Sequence, residues 1–367
     1  MKTQGNAANA VVNISSNNNL RFDFLVFIGR FEPFHNGHKA VVDRALTIAN
    51  KIVFVIGSDK KPRTLKNPWN VDERIVMIRR SFPEELQASL VFTTVCDVLY
   101  NDEQWIRSVQ DQVNTAVLEQ SGNESARVGL IGHDKDASSY YLNMFPQWEK
   151  IDVPDMGGLS ATQVRDAWLD NNSNQNGNDM LIESAVPRPV YDFLLSFKRM
   201  PAYTQLVKEH EFIKQYKQAW SAAPYAPTFV TTDAVVIHSG HVLLVRRRAE
   251  PGKGLWAWPG GFLNQDERIL DCCIRELREE TRLKIPAPVL RGSIKAQRVF
   301  DHPDRSSRGR TITHAFLFEF PTGDLPDIRA SDDADKARWV PLSQFFGMRD
   351  QMYEDHFDIG SYFLGAV

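Results

Sequence analysis

Residues 24–38 read Phe-Leu-Val-Phe-Ile-Gly-Arg-Phe-Glu-Pro-Phe-His-Asn-Gly-His, and this stretch decides the fold of the first half of the chain. An apolar run at 24–28 leads into it and a helix-like run at 39–50 follows, so His35 and His38 lie where a strand passes into a helix. The free N–H groups and the dipole of a helix start favour anions, and imidazoles add donors that can carry positive charge. The stretch therefore predicts a site for a nucleotide triphosphate.

The rest of the first half alternates between strand and helix patterns. Short β-branched runs are separated by amphipathic runs, which predicts βαβ units and a parallel sheet. Such sheets bind ligands beyond the carboxyl ends of their strands, where Gly29, Gly57-Ser58, Asp97 and Gly132 fall. The predicted strands are 24–28, 51–56, 90–95 and 128–131, the predicted helices are 39–49, 71–81, 102–119 and 162–169, and 171–179 is predicted to be a surface loop.

The second half has a different pattern. Runs at 229–237 and 241–246 alternate around Ser239-Gly240, which predicts a β-hairpin, and a helix at 268–283 follows. We therefore expect an α/β chain, in which a Rossmann-like parallel-sheet domain precedes a mixed α/β domain with a largely antiparallel sheet. The expected boundaries are a disordered tail at 1–20, a first domain at 21–200, a helical linker at 201–226 and a second domain at 227–367.

Composition argues against several classes of protein. The 367 residues carry a net charge of −3, which provides no basic surface for nucleic acid. No apolar run approaches the roughly 18 residues of a membrane helix, and we expect no signal peptide. The cysteines, Cys96, Cys272 and Cys273, are too few for a disulfide framework. We expect a cytoplasmic protein without membrane or nucleic-acid partners, and the oligomeric state is left open, a homo-oligomer included.

The opening stretch resembles the G-R-F-x-P-x-H-x-G-H signature of the nucleotidyltransferase superfamily. The shorter H-x-G-H also occurs in class I aminoacyl-tRNA synthetases, but this sequence lacks their K-M-S-K-S-like loop. Further segments at 57–75, 132–136 and 160–165 are similar to archaeal-type nicotinamide mononucleotide (NMN) adenylyltransferases. The resemblance covers most of residues 22–170 and implies transfer of AMP from ATP to NMN.

The residue types suit this chemistry. The second pKa of a phosphate monoester is about 6, so the attacking phosphate is mostly ionised at neutral pH and needs no general base. The enzyme must instead align two anions and neutralise their charge. The expected catalytic phosphate ligands are Arg30, His35, His38, Arg74 and Arg165, and the expected ATP or phosphate contacts are Gly29, Phe31, Gly37, Gly132, Ser160 and Thr162.

Recognition of NMN is expected at a further set of residues. The resemblance implies that an Asp such as Asp97 binds the carboxamide and that a Trp such as Trp105 stacks on the ring. Stacking of a cationic pyridinium on indole is favourable by roughly 0.5–2 kcal/mol. Packing within a helix is the alternative for Trp105. The full set of expected NMN contacts is Asn67, Trp69, Asp97 and Trp105.

A glutamate-rich segment dominates the second half. Its spacing resembles the Nudix box, G-x5-E-x7-R-E-U-x-E-E-x-G-U with U aliphatic, which implies a hydrolase for nucleoside diphosphates linked to another moiety. The departure is Arg282 in place of the second glycine. A glycine there would end the helix with φ > 0, which costs another residue about 1–2 kcal/mol. The matching residues are Gly261, Glu267, Arg275, Glu276, Leu277, Glu279 and Glu280.

The glutamate spacing predicts a metal site. Glu276 and Glu280 lie one helical turn apart on one face, with Glu279 beside them. Such crowding of like charges is unfavourable without a cation, so we expect these glutamates and the adjacent Gly260 to bind Mg²⁺, with Mn²⁺ as an alternative. Metal lowers the pKa of an attacking water and a carboxylate accepts its proton. Glu279 and Glu280 are the candidate catalytic residues, and the pattern does not assign the base.

An exposed acidic helix face is the alternative to the metal site. Two later segments could supply phosphate and ribose contacts, or be ordinary surface loops. These segments are Arg308-Gly309-Arg310-Thr311 and Asp332-Asp333-Ala334.

As a whole the chain resembles bifunctional proteins that fuse an archaeal-type NMN adenylyltransferase to a Nudix hydrolase. The resemblance implies ADP-ribose as the second substrate, cleaved to AMP and ribose 5-phosphate, beside ATP and NMN. Three alternatives are left open. The transferase could act on another acceptor such as phosphopantetheine, the hydrolase could prefer NADH or another dinucleotide, and the second domain could only sense a ligand.

Overall fold

The structure, a computed structural model, describes residues 20–122, 125–133, 141–154, 160–170, 175–331 and 333–365. The described residues contain two β-sheets, one of five strands and one of seven. The predicted tail lies outside the described residues up to position 19. No helix in the described part of the chain is long and apolar enough to span a membrane.

The first sheet is wholly parallel, which confirms the prediction. Its order is β3-β2-β1-β4-β5, so the direction of strand succession reverses at β1. The strands are β1 Phe22–Gly29, β2 Ala49–Ile56, β3 Leu90–Thr94, β4 Val128–Gly132 and β5 Glu149–Asp152. The helices of this half are α1 Asn36–Ala45, α2 Val71–Arg80, α3 Glu84–Gln87, α4 Asp102–Ser121, α5 Ala161–Leu169, α6 Gln175–Ala185, α7 Arg188–Phe197 and α8 Pro201–Ala219.

Burial on both faces explains the apolar runs of the central strands. Leu25 and Ile52 belong to the core on one face, and Val26 and Val53 belong to the core on the other. All four side chains are fully buried. The ends of β1 and β2 are joined where Gly57 N–H donates to the carbonyl of Gly29 at 3.0 Å. The carboxyl ends of the two strands therefore meet at the point where the strand order reverses.

The second sheet is mixed. Its order is β10-β11-β6-β7-β12, with β8 on β7 and β9 on β6, and the β11–β6 pair is parallel while the others are antiparallel. The strands are β6 Phe229–His238, β7 His241–Arg247, β8 Trp256–Ala257, β9 Gly260–Phe262, β10 Ile294–Phe300, β11 Thr311–Glu319 and β12 Ala334–Pro341. The helices are α9 Ile269–Thr281, α10 Ala287–Gly292, α11 Leu342–Phe345, the 3-10 helix Arg349–Gln351 and α12 His356–Phe363.

Several predicted boundaries are wrong. The helix expected at 39–49 begins at Asn36, because His35 caps it, and β2 already starts at Ala49. The loop expected at 171–179 is helical from Gln175 on, and 171–174 lie outside the described residues. Strand β5 is not predicted, because a short polar segment at the sheet edge lacks an apolar run.

The glutamate-rich helix ends with a positive φ although Arg282 replaces the glycine of the family pattern. Arg282 caps α9 with φ 52° and ψ 25°, a left-handed conformation. Its guanidinium donates a hydrogen bond to the Ser331 hydroxyl at 2.6 Å. The helix therefore ends as a glycine would end it, at a backbone cost that the side-chain contact only partly offsets.

We expect Arg282→Gly to be more stable than Arg282→Ala by about 1 kcal/mol. Both variants lose the contact with Ser331, so their difference isolates the cost of a left-handed non-glycine residue. The free energies of unfolding, measured by urea denaturation, test this. Equal stability of the two variants would contradict the backbone argument.

Candidate active sites

Two stacked histidines begin helix α1. His38 N–H donates to Nδ1 of His35 at 3.4 Å, His35 N–H donates to Nδ1 of His38 at 3.2 Å, and the ring centroids lie 3.7 Å apart. Because each Nδ1 accepts a backbone N–H, the proton of each neutral ring resides on Nε2. Burial, and then the neighbouring His35, lowers the pKa of His38 well below its ordinary value. His38 is therefore a neutral hydrogen-bond donor in the ligand-free protein, and a positive charge on it when phosphate is near stays a prediction.

Phe31 is a core residue rather than a ligand contact. Its ring is 1% exposed and packs against those of His38 and Phe54. Its φ of 55° is unusual for a residue with a side chain. The predicted contact with ATP is therefore wrong for the ring.

Three of the predicted glycines leave room for neighbouring side chains. An added Cβ would lie within about 3 Å of Phe31 at Gly29, of His35 at Gly37 and of Leu142 at Gly132.

Arg74 holds the strand ends together. Its guanidinium donates to the backbone carbonyls of Arg30 at 2.8 Å, Gly57 at 2.7 Å and Ser58 at 3.2 Å. The side chain is 1% exposed, and burial lowers its pKa. Since its donors are directed at backbone carbonyls, the predicted role of Arg74 as a phosphate ligand is not supported, and Arg74 positions the site.

Arg165 and Glu32 join helix α5 to the strand–helix junction. Arg165 donates to the Glu32 carbonyl at 2.6 Å and to the Thr162 hydroxyl at 3.1 Å, and Ser160 caps α5 through Gln163 N–H. Glu32 is 1% exposed, and burial raises its pKa to about 8 despite Arg74. The sequence signature treats Glu32 as a variable position, yet the residues around it depend on its backbone and carboxylate.

A cavity of about 400 Å³ lies beside the junction. Of the predicted residues, its lining includes Arg30, Asn67, Asp97 and Trp105. Ser58 fixes the Asp97 carboxylate, because its N–H donates to Oδ1 at 3.0 Å and its hydroxyl donates to Oδ2 at 2.6 Å. The structure thus brings the exposed Arg30, an acid and an indole to one cavity.

Trp69, in contrast, is not in this cavity lining. Its ring is 1% exposed and packs 4.9 Å from Trp168 and 6.4 Å from Phe197, measured between centroids. Its predicted contact with NMN is therefore wrong for the ring.

Two lysines that were not predicted, Lys61 and Lys66, do line the cavity. Their only signal in the sequence is that they are basic residues in the loop between β2 and α2. Residues 134–136 of the predicted loop lie outside the described residues.

The glycine pair of the second site is fixed by close packing. A Cβ on Gly260 would lie 2.0 Å from the Thr232 carbonyl, and one on Gly261 would lie 2.4 Å from Oε1 of Glu276. Gly260 N–H donates to Oε2 of Glu280 at 3.0 Å. The two glycines therefore let strand β9 lie directly against the carboxylates of α9.

Arg275 organises the remaining glutamates. It donates to both oxygens of Glu267 at 2.6 and 2.9 Å, to Glu276 at 2.7 Å and to Glu279 at 3.0 Å. The hydrogen bonds from Arg275 lower the pKa of Glu267 to about 2. Leu277 points into the core and is fully buried. Arg275 therefore pairs with Glu279 one helical turn on, and also holds Glu267 and Glu276.

Glu276 and Glu280 line a second cavity, of about 320 Å³. Burial raises the pKa of Glu280 to about 8, opposed by the Gly260 N–H, and the charge of Glu276 adds to the rise. In the part of the chain that is described, no group of three or more His, Cys, Asp or Glu side chains is arranged to hold a metal; Arg275 holds Glu276 and Glu279 instead. The donor chemistry fits a divalent cation, because like-charged carboxylates share one cavity and a hard cation relieves their repulsion.

The second cavity also carries cations suited to a diphosphate. Arg247, Arg248 and Arg308 line it, and consecutive arginines at the end of β7 are the sequence signal for the first two. Asp333 lines it as well, whereas Asp332 lies outside the described residues. The other members of the predicted 308–311 segment are placed differently: Arg310 pairs with Asp301, and Thr311 is buried at the start of β11.

Comparison with known proteins assigns a family to each half. The Cytidylyltransferase-like model matches residues 26–167, and the NUDIX domain model matches residues 227–363. A nicotinamide/nicotinic acid mononucleotide adenylyltransferase of Acinetobacter baylyi is 38% identical over 191 residues, which is 52% of this chain and 94% of the relative. An ADP-ribose pyrophosphatase of Methanocaldococcus jannaschii is 30% identical over 141 residues, 38% of this chain and 75% of the relative.

A solved structure matches both halves together. It is a bifunctional NMN adenylyltransferase/ADP ribose pyrophosphatase from Francisella tularensis complexed with AMP and a manganese ion. It is 35% identical, has a TM-score of 0.85, and the match covers 94% of this chain and 99% of that one. The fold of the two halves together thus recurs in one relative. The chain belongs to the family of bifunctional proteins that join an NMN adenylyltransferase to a Nudix ADP-ribose pyrophosphatase.

Proposed function

We propose that the first half transfers AMP from ATP to NMN, and that the second half hydrolyses ADP-ribose to AMP and ribose 5-phosphate with Mg²⁺. The observation that carries the first assignment is the cavity in which Arg30, Asp97 and Trp105 meet. A phosphate, a carboxamide and a cationic ring each find a suitable partner there. The cysteines are free thiols, which suits a reducing cytoplasm.

In the transfer reaction, an oxygen of the NMN phosphate forms a bond to the α-phosphorus of ATP. The bond from that phosphorus to the bridging oxygen breaks, and pyrophosphate leaves with the electron pair. The nucleophile is already ionised at neutral pH, so His35 and His38 act by donating hydrogen bonds through Nε2. Arg30 neutralises charge, and the free N–H groups of α1 favour the triphosphate. Arg74 and Arg165 hold the backbone that presents these groups.

In the hydrolytic reaction, Glu276 and Glu280 would hold the divalent cation. The cation supplies an activated water and neutralises the diphosphate. Arg275 keeps Glu267 ionised and aligns Glu276 and Glu279. Arg247, Arg248 and Arg308, which line the same cavity, bind the phosphates.

Incubation of the protein with ATP, NMN and Mg²⁺ should yield NAD and pyrophosphate. His38→Asn should lower this rate by about 100-fold or more, since it removes one donor to the transition state. Hydrolysis of ADP-ribose should be unchanged in the same variant. Glu280→Gln is the matched control and should show the opposite pattern. Absence of NAD with the wild type would refute the transferase assignment, and a fully active His38→Asn would refute the role of His38 alone.

Binding of Mn²⁺ to the hydrolase site should strengthen as pH rises from 6 to 8. The raised pKa of Glu280 means that its carboxyl is protonated below about pH 8, and a cation must displace that proton. We expect up to about a tenfold gain in affinity per pH unit, levelling off above pH 8. Electron paramagnetic resonance titration with Mn²⁺ measures this. Glu280→Gln should bind more weakly with a flatter pH profile, and equal wild-type affinity at pH 6 and 8 would contradict the argument.

A further inference from the structure

The cavity beside the strand–helix junction is bounded by both halves of the chain. Asp97 and Trp105 of the transferase half line it. His302, Asp304 and Arg305, from the segment that joins β10 to β11 in the hydrolase half, line it as well. A ligand in this cavity would therefore contact both halves.

The hydrolase half also fastens the loop that carries Asp97. This loop, residues 95–101, joins β3 to α4. Arg349 donates from Nη1 to the carbonyl of Asp97 at 2.9 Å. Near the other end of the loop, the Tyr100 hydroxyl donates to Oδ2 of Asp355 at 2.6 Å. The loop is thus held on both sides of Leu99 by residues more than 200 positions away in sequence.

The anchor for Tyr100 is itself rigid. The Asp355 side chain is 0% exposed, and Arg305 donates to both its oxygens at 2.8 and 2.9 Å. The ring of Tyr100 packs edge-on against Phe300 at 5.0 Å. Burial, and then the charge of Asp355, raises the pKa of Tyr100, so the hydroxyl keeps its proton and donates. Because the buried Asp355 carboxylate is already held by two hydrogen bonds from Arg305, it fixes the position of the Tyr100 hydroxyl that donates to it.

A further contact between the two halves joins two residues that line the cavity, Lys66 and Asp304. Lys66 of the transferase half lies 3.2 Å from the Asp304 carboxylate and donates to the Asp304 carbonyl at 3.0 Å. Both side chains are well exposed, so this pair contributes little stability. It does place the 301–305 segment against the β2–α2 loop, which borders the same cavity.

We propose that the hydrolase half completes the NMN site of the transferase: Arg349 and Asp355 are positioning residues for the Asp97 loop, and His302 and Arg305 line the same cavity. The inference rests on the proposed transfer of AMP to NMN. If the first half formed a complete transferase alone, changes in the second half would leave the affinity for NMN unaltered. In the proposed arrangement, residues of the second half set the affinity for the mononucleotide. The ATP end of the site, at the strand–helix junction, does not depend on these contacts.

Tyr100→Phe tests the proposal in the full-length protein. It deletes the hydroxyl and retains the ring on Phe300. The KM for NMN should rise by about threefold to tenfold, the loss of one hydrogen bond to a charged group. The KM for ATP and the hydrolysis of ADP-ribose should be unchanged. Tyr362→Phe is the matched control, because its ring packs on the same Phe300 at 5.7 Å, and it should leave both reactions as in the wild type.

Arg349 supplies an independent test. Arg349→Met keeps much of the side-chain packing without a donor, whereas Arg349→Lys keeps a donor for the Asp97 carbonyl. The KM for NMN should rise in the Met variant and be at least partly restored in the Lys variant. The proposal is overturned if Tyr100→Phe and Arg349→Met leave this KM within twofold of the wild type, or if the KM for ATP rises equally. If the wild type forms no NAD, the proposed function itself fails, which is a separate result.

Discussion

The buried guanidinium of Arg74 is the interaction on which the transferase half depends. Where parallel strands end, their last carbonyls lose their sheet partners and need other donors. Arg74 supplies donors to three carbonyls that lie just beyond the ends of β1 and β2, those of Arg30, Gly57 and Ser58. Burying a charge is costly unless it is fully hydrogen-bonded, and here the three backbone carbonyls accept hydrogen bonds from the guanidinium, with Oε1 of Glu32 3.4 Å from its Nε. The same contacts fix the backbone of Arg30, which lines the ligand cavity, and of Ser58, which donates two hydrogen bonds to the Asp97 carboxylate of that cavity.

Burial gives the two sites opposite electrostatic characters. In the first, the loss of water around His38 lowers its pKa, so the site offers neutral donors beside the exposed Arg30. In the second, the loss of water around Glu280 raises its pKa, so this carboxyl keeps its proton at neutral pH in the ligand-free protein. A nucleophile that is already ionised needs no base, whereas a water molecule must lose a proton. The transferase site therefore offers neutral hydrogen-bond donors for an ionised phosphate, whereas the hydrolase site offers carboxylates for the activation of a water molecule.

The sequence predicts local features well, because they depend on neighbours along the chain. The β1–α1 junction and the hairpin at Ser239-Gly240 both follow from short-range patterns. The errors concern Phe31, Trp69 and Arg74, whose side chains turn into the core. A signature gives residue types and spacing, but the direction of a side chain depends on contacts with distant segments. Trp69, for example, is buried by Trp168 and Phe197, about 100 or more residues later.

The sequence patterns do not predict the contacts between the two halves. Each half matches a family signature that refers only to residues of that half. Yet Arg305, Tyr353 and Glu354 line both cavities, so a single layer of side chains separates the two ligand spaces. Arg305 within this layer is tied to Tyr100 through Asp355. Thermodynamic linkage is reciprocal: to whatever extent a ligand in one cavity displaces this layer, it changes the affinity at the other cavity by the same factor in both directions. The fusion of the two enzymes therefore creates a shared structural wall as well as a shared chain.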